Sequence, residues 1–268
     1  MKRLYKYIAL ILIFSMLCGC GIQKKHKENQ ADLPTVTVGC DNYSPFSYTD
    51  ANGNMTGIDV ELAREAFSRM GYAPEFVFIN WEDKKRLLED GTIDCVWSSF
   101  TMTDREDEYN WAGPYMKSRQ VVAVNEDSDI HTLKDLEGKV IAVQSTTKPE
   151  DIIRSNDGTL PELKKVISVQ KRDLIFILLS KGYVDALAAH DTSVDQFMAD
   201  TGLKYRILDE PLQSVELGVA FDKTDSRGLN TQLTEVLQKM QEDGTVKKII
   251  GKYLANAESY LEDGDGEK

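Results

Sequence analysis

The stretch Asp94-Cys95-Val96-Trp97-Ser98-Ser99-Phe100-Thr101-Met102-Thr103-Asp104-Arg105 carries the side chains best suited to chemistry. Hydroxyls at Ser98, Ser99, Thr101 and Thr103 are followed by an arginine inside an acidic run. A guanidinium presents a planar fork of donors that matches a carboxylate, and short hydroxyls and loop amides supply further hydrogen bonds. The pattern suits gripping a small carboxylate. Without a ligand, the same residues read as turn chemistry and a solvated charged face.

Local periodicity shows what positions these groups. Ile93, Cys95 and Trp97 alternate on one face of a strand, with Gly91 as punctuation before it. Thr35 to Cys40 is another strand, and Asn52-Gly53 marks a hairpin turn between Phe46 and Met55. From Ile58 to Met70, apolar residues at Ile58, Leu62, Ala66 and Met70 predict a helix stopped by Gly71. Glu75 to Ile79 is a strand, and Glu82 to Asp90 is a helix.

Strands are expected again at Gln120 to Val124, Val140 to Val143, Val166 to Val169, Val184 to Ala189, Tyr205 to Leu208 and Leu217 to Phe221. Helical patterns cover Leu133 to Gly138, Arg172 to Lys181, Thr192 to Asp200, Leu229 to Gln241 and Val246 to Leu254. Alternating strands and helices imply open α/β sheets, on which ligands sit at the carboxyl ends of strands. Asp41 and the segment Ser98 to Arg105 both lie at such ends.

The chain has 268 residues and a formal charge of -12, an acidity that argues against nucleic acid as a partner. Its first residues have the layout of an export signal: Lys2, Arg3 and Lys6, then an apolar run from Tyr7 to Leu17. That run ends in Leu17-Cys18-Gly19-Cys20, which resembles the bacterial lipobox with Cys20 as the lipidated residue. A plain secretory leader ending near Ala31 is the alternative. Gly21 to Asp32 is polar and reads as a tether. Cys40 and Cys95 read as buried thiols, since aligning Asp41 with Ser98 puts Cys40 opposite Trp97. His26, His131 and His190 show no metal spacing.

Other motifs recur along the chain: Tyr43-Ser44-Pro45-Phe46, Gly57-Ile58-Asp59-Val60-Glu61-Leu62, Trp111-Ala112-Gly113-Pro114-Tyr115, Leu136-Glu137-Gly138-Lys139-Val140, Gln144-Ser145-Thr146-Thr147 and Asp243-Gly244-Thr245. With the Asp94 to Arg105 segment they resemble, in order, the polar amino acid solute-binding proteins that feed ABC importers. The resemblance spans about Thr35 to Tyr253.

It implies an α/β fold of the type II periplasmic-binding-protein kind, with two lobes, open mixed sheets flanked by helices and a two-strand hinge. The implied organisation is a lipoprotein signal peptide over residues 1–19 and a tether over 20–33. Lobe 1 would take 34–119 and 214–258, lobe 2 would take 120–213, and an acidic tail 259–268. A hinge of two strands over a cleft would let the lobes close around a ligand.

The resemblance also implies site roles. Arg105 would hold the ligand's α-carboxylate from the first lobe, with Ser98, Ser99 and Thr101 beside it, and Gln144, Thr146 and Thr147 would hold it from the second. Ser145 departs from the family's usual glycine and bears on how closely a ligand meets the backbone. Thr146 or Thr147 would otherwise simply cap a helix. Asp191, one residue later than the usual spacing and helped by a bulge, is preferred over His190 as the acceptor of the α-ammonium.

Tyr43 is the expected aromatic platform, with Phe100 a further wall and Trp81 either a wall or a core aromatic. Trp97 and Trp111 are packing residues. Asp41 either pairs with a cationic ligand side chain or merely ends its strand. No catalytic residue, cofactor or metal is expected. The implied partners are an L-amino acid, an ABC permease with its ATPase, and the membrane through a lipid anchor, for a monomeric receptor on the extracytoplasmic face. An enzyme on the same fold, such as a dehydratase, and a ligand-sensing module are the competing readings.

Overall fold

The short β-branched runs and amphipathic periods assemble into a nine-stranded mixed sheet covered by helices. The computed structural model describes residues 33–155, 158 and 160–261. The proposed lipid site at Cys20, the tether and His26 lie outside the described residues, and so does the end of the acidic tail. The described residues from Pro34 onward form one compact unit.

The strands are β1 (Thr35–Cys40), β2 (Tyr48–Thr49), β3 (Met55–Thr56), β4 (Ala73–Phe78), β5 (Cys95–Thr101), β6 (Asn110–Asn125), β7 (Val140–Gln144), β8 (Lys165–Val169), β9 (Ala186–His190), β10 (Tyr205–Ile207) and β11 (Gln213–Phe221). The helices are α1 (Ile58–Met70), α2 (Lys84–Glu89), α3 (Lys148–Ser155), α4 (Asp173–Ser180), α5 (Asp191–Thr201), α6 (Leu229–Glu242) and α7 (Thr245–Ile250). Helix α1 buries Ile58, Leu62 and Ala66. Gly71 ends it in the left-handed conformation at φ 80°, where glycine is free of the Cβ penalty.

The sheet runs β4-β1-β5-β11-β6-β9-β7-β8, with β10 also on β6. Strands β4, β1 and β5 pair in parallel, as do β9, β7 and β8, whereas β11 and β6 pair with their neighbours antiparallel. β6 pairs with β11 as far as Gln120↔Gln213, and from Gln120↔His190 onward it pairs with β9. Gln120 therefore stands where the two α/β halves meet.

Each half has apolar packing on both faces of the sheet. Along β6, Val122 and Val124 enter one cluster while Val121 and Ala123 enter another, which is the two-residue alternation of a strand buried on both sides. In the first half, Trp97, Phe67 and Leu233 belong to one cluster, and Trp81, Phe100 and Tyr109 to the opposite one.

Among the elements that differ from the sequence expectation, two bear on the site. β5 does not stop at Trp97 but continues through Ser98 to Thr101, all buried. β6 is a 16-residue strand beginning at Asn110 rather than Gln120. Both extensions are made by pairing with β11, a partner distant in the sequence, as in Leu217↔Thr101 and Phe221↔Asn110. The register Val38↔Cys95 sets Cys40 beside Trp97, whose carbonyl lies 3.4 Å from Cys40 Sγ, so Cys40 and Cys95 are free, buried thiols.

Candidate functional site

The first wall is the end of β5 and the turn after it. Ser98 Oγ accepts the Asp41 amide at 3.0 Å. Ser99 sits at φ 47°, an uncommon conformation for a residue with a Cβ, and its amide donates to Asp59 Oδ2 at 2.6 Å. Tyr115 Oη donates to the other oxygen of Asp59 at 2.8 Å. Burial pushes the Asp59 carboxyl up to about 7, against the lowering effect of these two bonds.

Beyond Thr101 the chain is held on β11, through Met102 N to Glu216 O and Glu216 N to Thr103 Oγ1, each 2.8 Å. Arg105 follows. Its carbonyl accepts Trp111 Nε1 at 2.8 Å, and its buried guanidinium lies 5.5 Å from the centre of the Phe100 ring. An indole from the next strand thus fixes the backbone of the arginine.

The facing wall is the turn from β7 into α3. Thr146 sits at φ 56° and its amide donates to Glu150 Oε2 at 2.6 Å. Thr147 Oγ1 donates to the Gln144 carbonyl at 2.6 Å. Side chains bridge the two walls. Lys84 Nζ donates to Thr146 Oγ1 at 2.9 Å and to its carbonyl at 3.1 Å. Ser145 Oγ donates to Glu82 Oε1 at 2.6 Å, so the serine in the place of a glycine joins the walls. Lys148 pairs with Asp104 at 2.8 Å, and Arg105 Nη2 pairs with Asp151. Burial, then the nearby Arg105 charge, lowers Lys84 to about 8.

The end of β9 closes the site. Its ladder to β6 runs without a register shift as far as His190, so no bulge carries the next residue inward. His190 faces the site, and Asp191 does not. The Asp191 carboxylate instead takes Arg119 Nε at 2.9 Å and the Thr192 amide at 2.8 Å at the start of α5. His190 Nδ1 meets Ser118 Oγ at 2.8 Å and its Nε2 meets Gln120 Nε2 at 3.0 Å. Burial and then the Arg172 charge depress His190 to about 3, which leaves the ring neutral near pH 7.

These walls line a shared, partly open cavity. It brings together Ser98, Ser99, Phe100, Thr101 and Arg105 from the first wall. Gln144 and Thr147 face them, and Trp81 contributes to both the cavity and the aromatic cluster beneath it. The remaining expected site residues lie elsewhere. Thr146 is behind the wall on Lys84. Asp41 is engaged by Arg172 Nη2 at 3.2 Å and Gln144 Nε2 at 2.9 Å. Tyr43 is almost wholly buried, and the Arg172 guanidinium covers its ring at 3.5 Å from the centroid. The expected platform is already occupied.

Sequence reasoning missed Arg172, Lys148 and Gln120 as lining residues. Arg172 follows the carboxyl end of β8 as Arg105 follows β5, so the same strand-end rule could have singled it out. Buried atoms without a partner belong to several of the lining residues: Trp81 Nε1, Ser99 Oγ, Gln120 Oε1, Gln144 Oε1 and Arg172 Nε. Unpaired buried polar atoms are costly, and a ligand that pairs with them recovers that cost.

Known proteins share this architecture over most of their length. The L-cystine-binding protein TcyA of Bacillus subtilis is 29% identical over 264 residues, covering 92% of this chain and 96% of the relative. An ABC uptake transporter substrate-binding protein from Streptococcus pneumoniae, solved with bound histidine, superposes with a TM-score of 0.77 at 25% identity, over 82% of this chain and 92% of that one. The ancestral amino acid-binding protein AncCDT-1, a precursor of cyclohexadienyl dehydratase, superposes with a TM-score of 0.72 at 28% identity, over 82% and 96%. The type II periplasmic-binding-protein fold of these neighbours is the fold of this chain. With the family's own sequence model matching residues 36–256, the chain belongs to the bacterial extracellular solute-binding proteins, family 3.

Proposed function

We propose that the chain is a receptor on the extracytoplasmic face of a bacterial membrane that binds one small L-amino acid between its two lobes and hands it to an ABC importer. The observation that carries this reading is the cavity into which Arg105 projects opposite Gln144 and Thr147, with unpaired polar atoms on lining residues. The relatives named for binding amino acids support the ligand class.

In this reading the α-carboxylate takes the Arg105 fork and the amides and hydroxyls of the two turns. Gln120 Oε1 and Gln144 Oε1, both without a partner, replace an aspartate as acceptors for the α-ammonium. Lobe 1 is taken as residues 34–119 and 214–258 and lobe 2 as 120–213, hinged where β6 passes from β11 to β9. Lipidation at Cys20 would tether a monomeric receptor; the described residues contain no helix long and apolar enough to cross a membrane.

Calorimetric titration with the common L-amino acids tests the reading. Saturable binding with unchanged ligand recovered afterwards is expected. Chemical conversion of the bound amino acid would replace the receptor by an enzyme. Cys20→Ser should release the protein from membranes, and unchanged fractionation would remove the lipid anchor.

A further inference from the structure

The cavity is lined by Arg105, Lys148 and Arg172 and, among the described residues, by no aspartate or glutamate. Each cation has a carboxylate partner, but the partners Asp151, Asp104 and Asp41 lie outside the lining. The side chains of Asp151 and Asp104 are 52% and 62% exposed, whereas those of Arg105 and Lys148 are each 7% exposed. Water screens the carboxylates of Asp151 and Asp104, whereas Asp41, the partner of Arg172, is 16% exposed and shares its oxygen with Gln144. The neutral His190 adds no charge of either sign.

Arg172 has a particular position. Its guanidinium covers the Tyr43 ring and takes an oxygen of Asp41, the aromatic face and the carboxylate that a cationic ligand side chain would need. Its Nε is buried and unpaired, and it belongs to a residue that lines the cavity. A ligand cation placed there would meet a like charge and find Asp41 already shared between Arg172 and Gln144. A carboxylate meets a free donor on a fixed cation.

Resting on the amino acid reading above, we propose that the site selects amino acids with a carboxylate side chain, and that Arg172 is the specificity-determining residue. Arg105 then holds one carboxylate and Arg172 the other, with Lys148 between the walls adding to the positive field. The same guanidinium that attracts an acidic side chain excludes lysine, arginine and histidine.

The test is isothermal titration of the full chain in detergent against L-glutamate, L-aspartate, their amides, the cationic L-amino acids and succinate. Glutamate or aspartate should bind at least 100-fold more tightly than the amides or the cations. Arg172→Gln should weaken acidic ligands about 100-fold and narrow the gap to cationic ones. Arg172→Lys, which keeps the charge without the fork, should retain the acidic preference at reduced affinity, and it serves if the glutamine variant does not fold.

Wild-type preference for a cationic or neutral amino acid would overturn the charge selection and leave the receptor reading intact. The same holds if glutamate affinity is unchanged in Arg172→Gln. Binding of succinate with no amino acid bound would overturn the amino acid reading and leave the charge selection. Silence across the whole panel would overturn both.

Discussion

Asp59, on the first turn of α1, accepts the amide of Ser99 at 2.6 Å and so holds the hydroxyl-bearing end of β5 in a left-handed turn. A buried carboxyl forty residues back in the chain thereby sets the wall that Arg105 completes. Removing it by Asp59→Ala leaves the Ser99 and Tyr115 donors unpaired and should cost about 1–3 kcal/mol of stability in urea unfolding, each stranded donor contributing.

The Asp59 carboxyl also gives a pH dependence. Its folded value near 7 lies above the ordinary 3.8, so the folded state retains a proton that the unfolded state has lost between those limits. Its contribution to stability is full below about pH 4 and is lost as pH rises through 7. Thermal unfolding of Asp59→Asn between pH 4 and 7 should fall less steeply with rising pH than the wild type. Parallel profiles would remove Asp59 as the titrating group.

His190 acts in the opposite sense. Its folded value near 3 lies below the ordinary 6.5, so its contribution is present above about pH 6.5 and is lost as pH falls through 3. His190→Gln should flatten the acid side of the stability profile, with neutral-pH stability changed only by the altered contacts to Ser118, Gln120 and the neighbouring rings. An NMR titration that finds the ring protonated near pH 6.5 would contradict a buried neutral imidazole.

Arg105→Ala should reduce affinity for the bound amino acid by about 3–5 kcal/mol, roughly 150- to 5000-fold in Kd, because a ligand carboxylate would lose its fork in a desolvated site. Stability should change little, since its partner Asp151 is half exposed and readily solvated. Calorimetry paired with circular dichroism separates the two effects.

Glu82 takes both Ser145 Oγ and Gln170 Nε2 from the facing wall. Glu82→Ala should widen the unliganded protein in small-angle scattering while costing under about 1 kcal/mol in stability, as expected for the contacts of an exposed carboxylate. An unchanged radius of gyration would show that these bonds do not hold the walls together.

The core carries a larger stake. Trp97 is fully buried between Phe67 and Tyr115, with ring centroids 6.1 and 5.6 Å away, so Trp97→Ala should cost about 3–5 kcal/mol in denaturant unfolding.

The sequence by itself determined the elements whose signals are local. Helix α1 begins and ends where the four-residue apolar recurrence from Ile58 and the stop at Gly71 place it, because helix formation depends on side chains within a turn or two and on a residue free to turn left-handed. The hairpin at Asn52-Gly53 and the arrival of Arg105 shortly after a strand end were legible for the same reason. The tertiary structure decided what depends on distant partners. β5 and β6 gained their length from β11, and the unbroken β9 ladder turned His190 inward and left Asp191 to Arg119. Asp41 and Tyr43 were recognisable as ligand-type residues, but only the fold shows Arg172, 131 residues after Asp41, lying across both. Charge complementarity acts through space, and spacing along the chain does not record which cation arrives first.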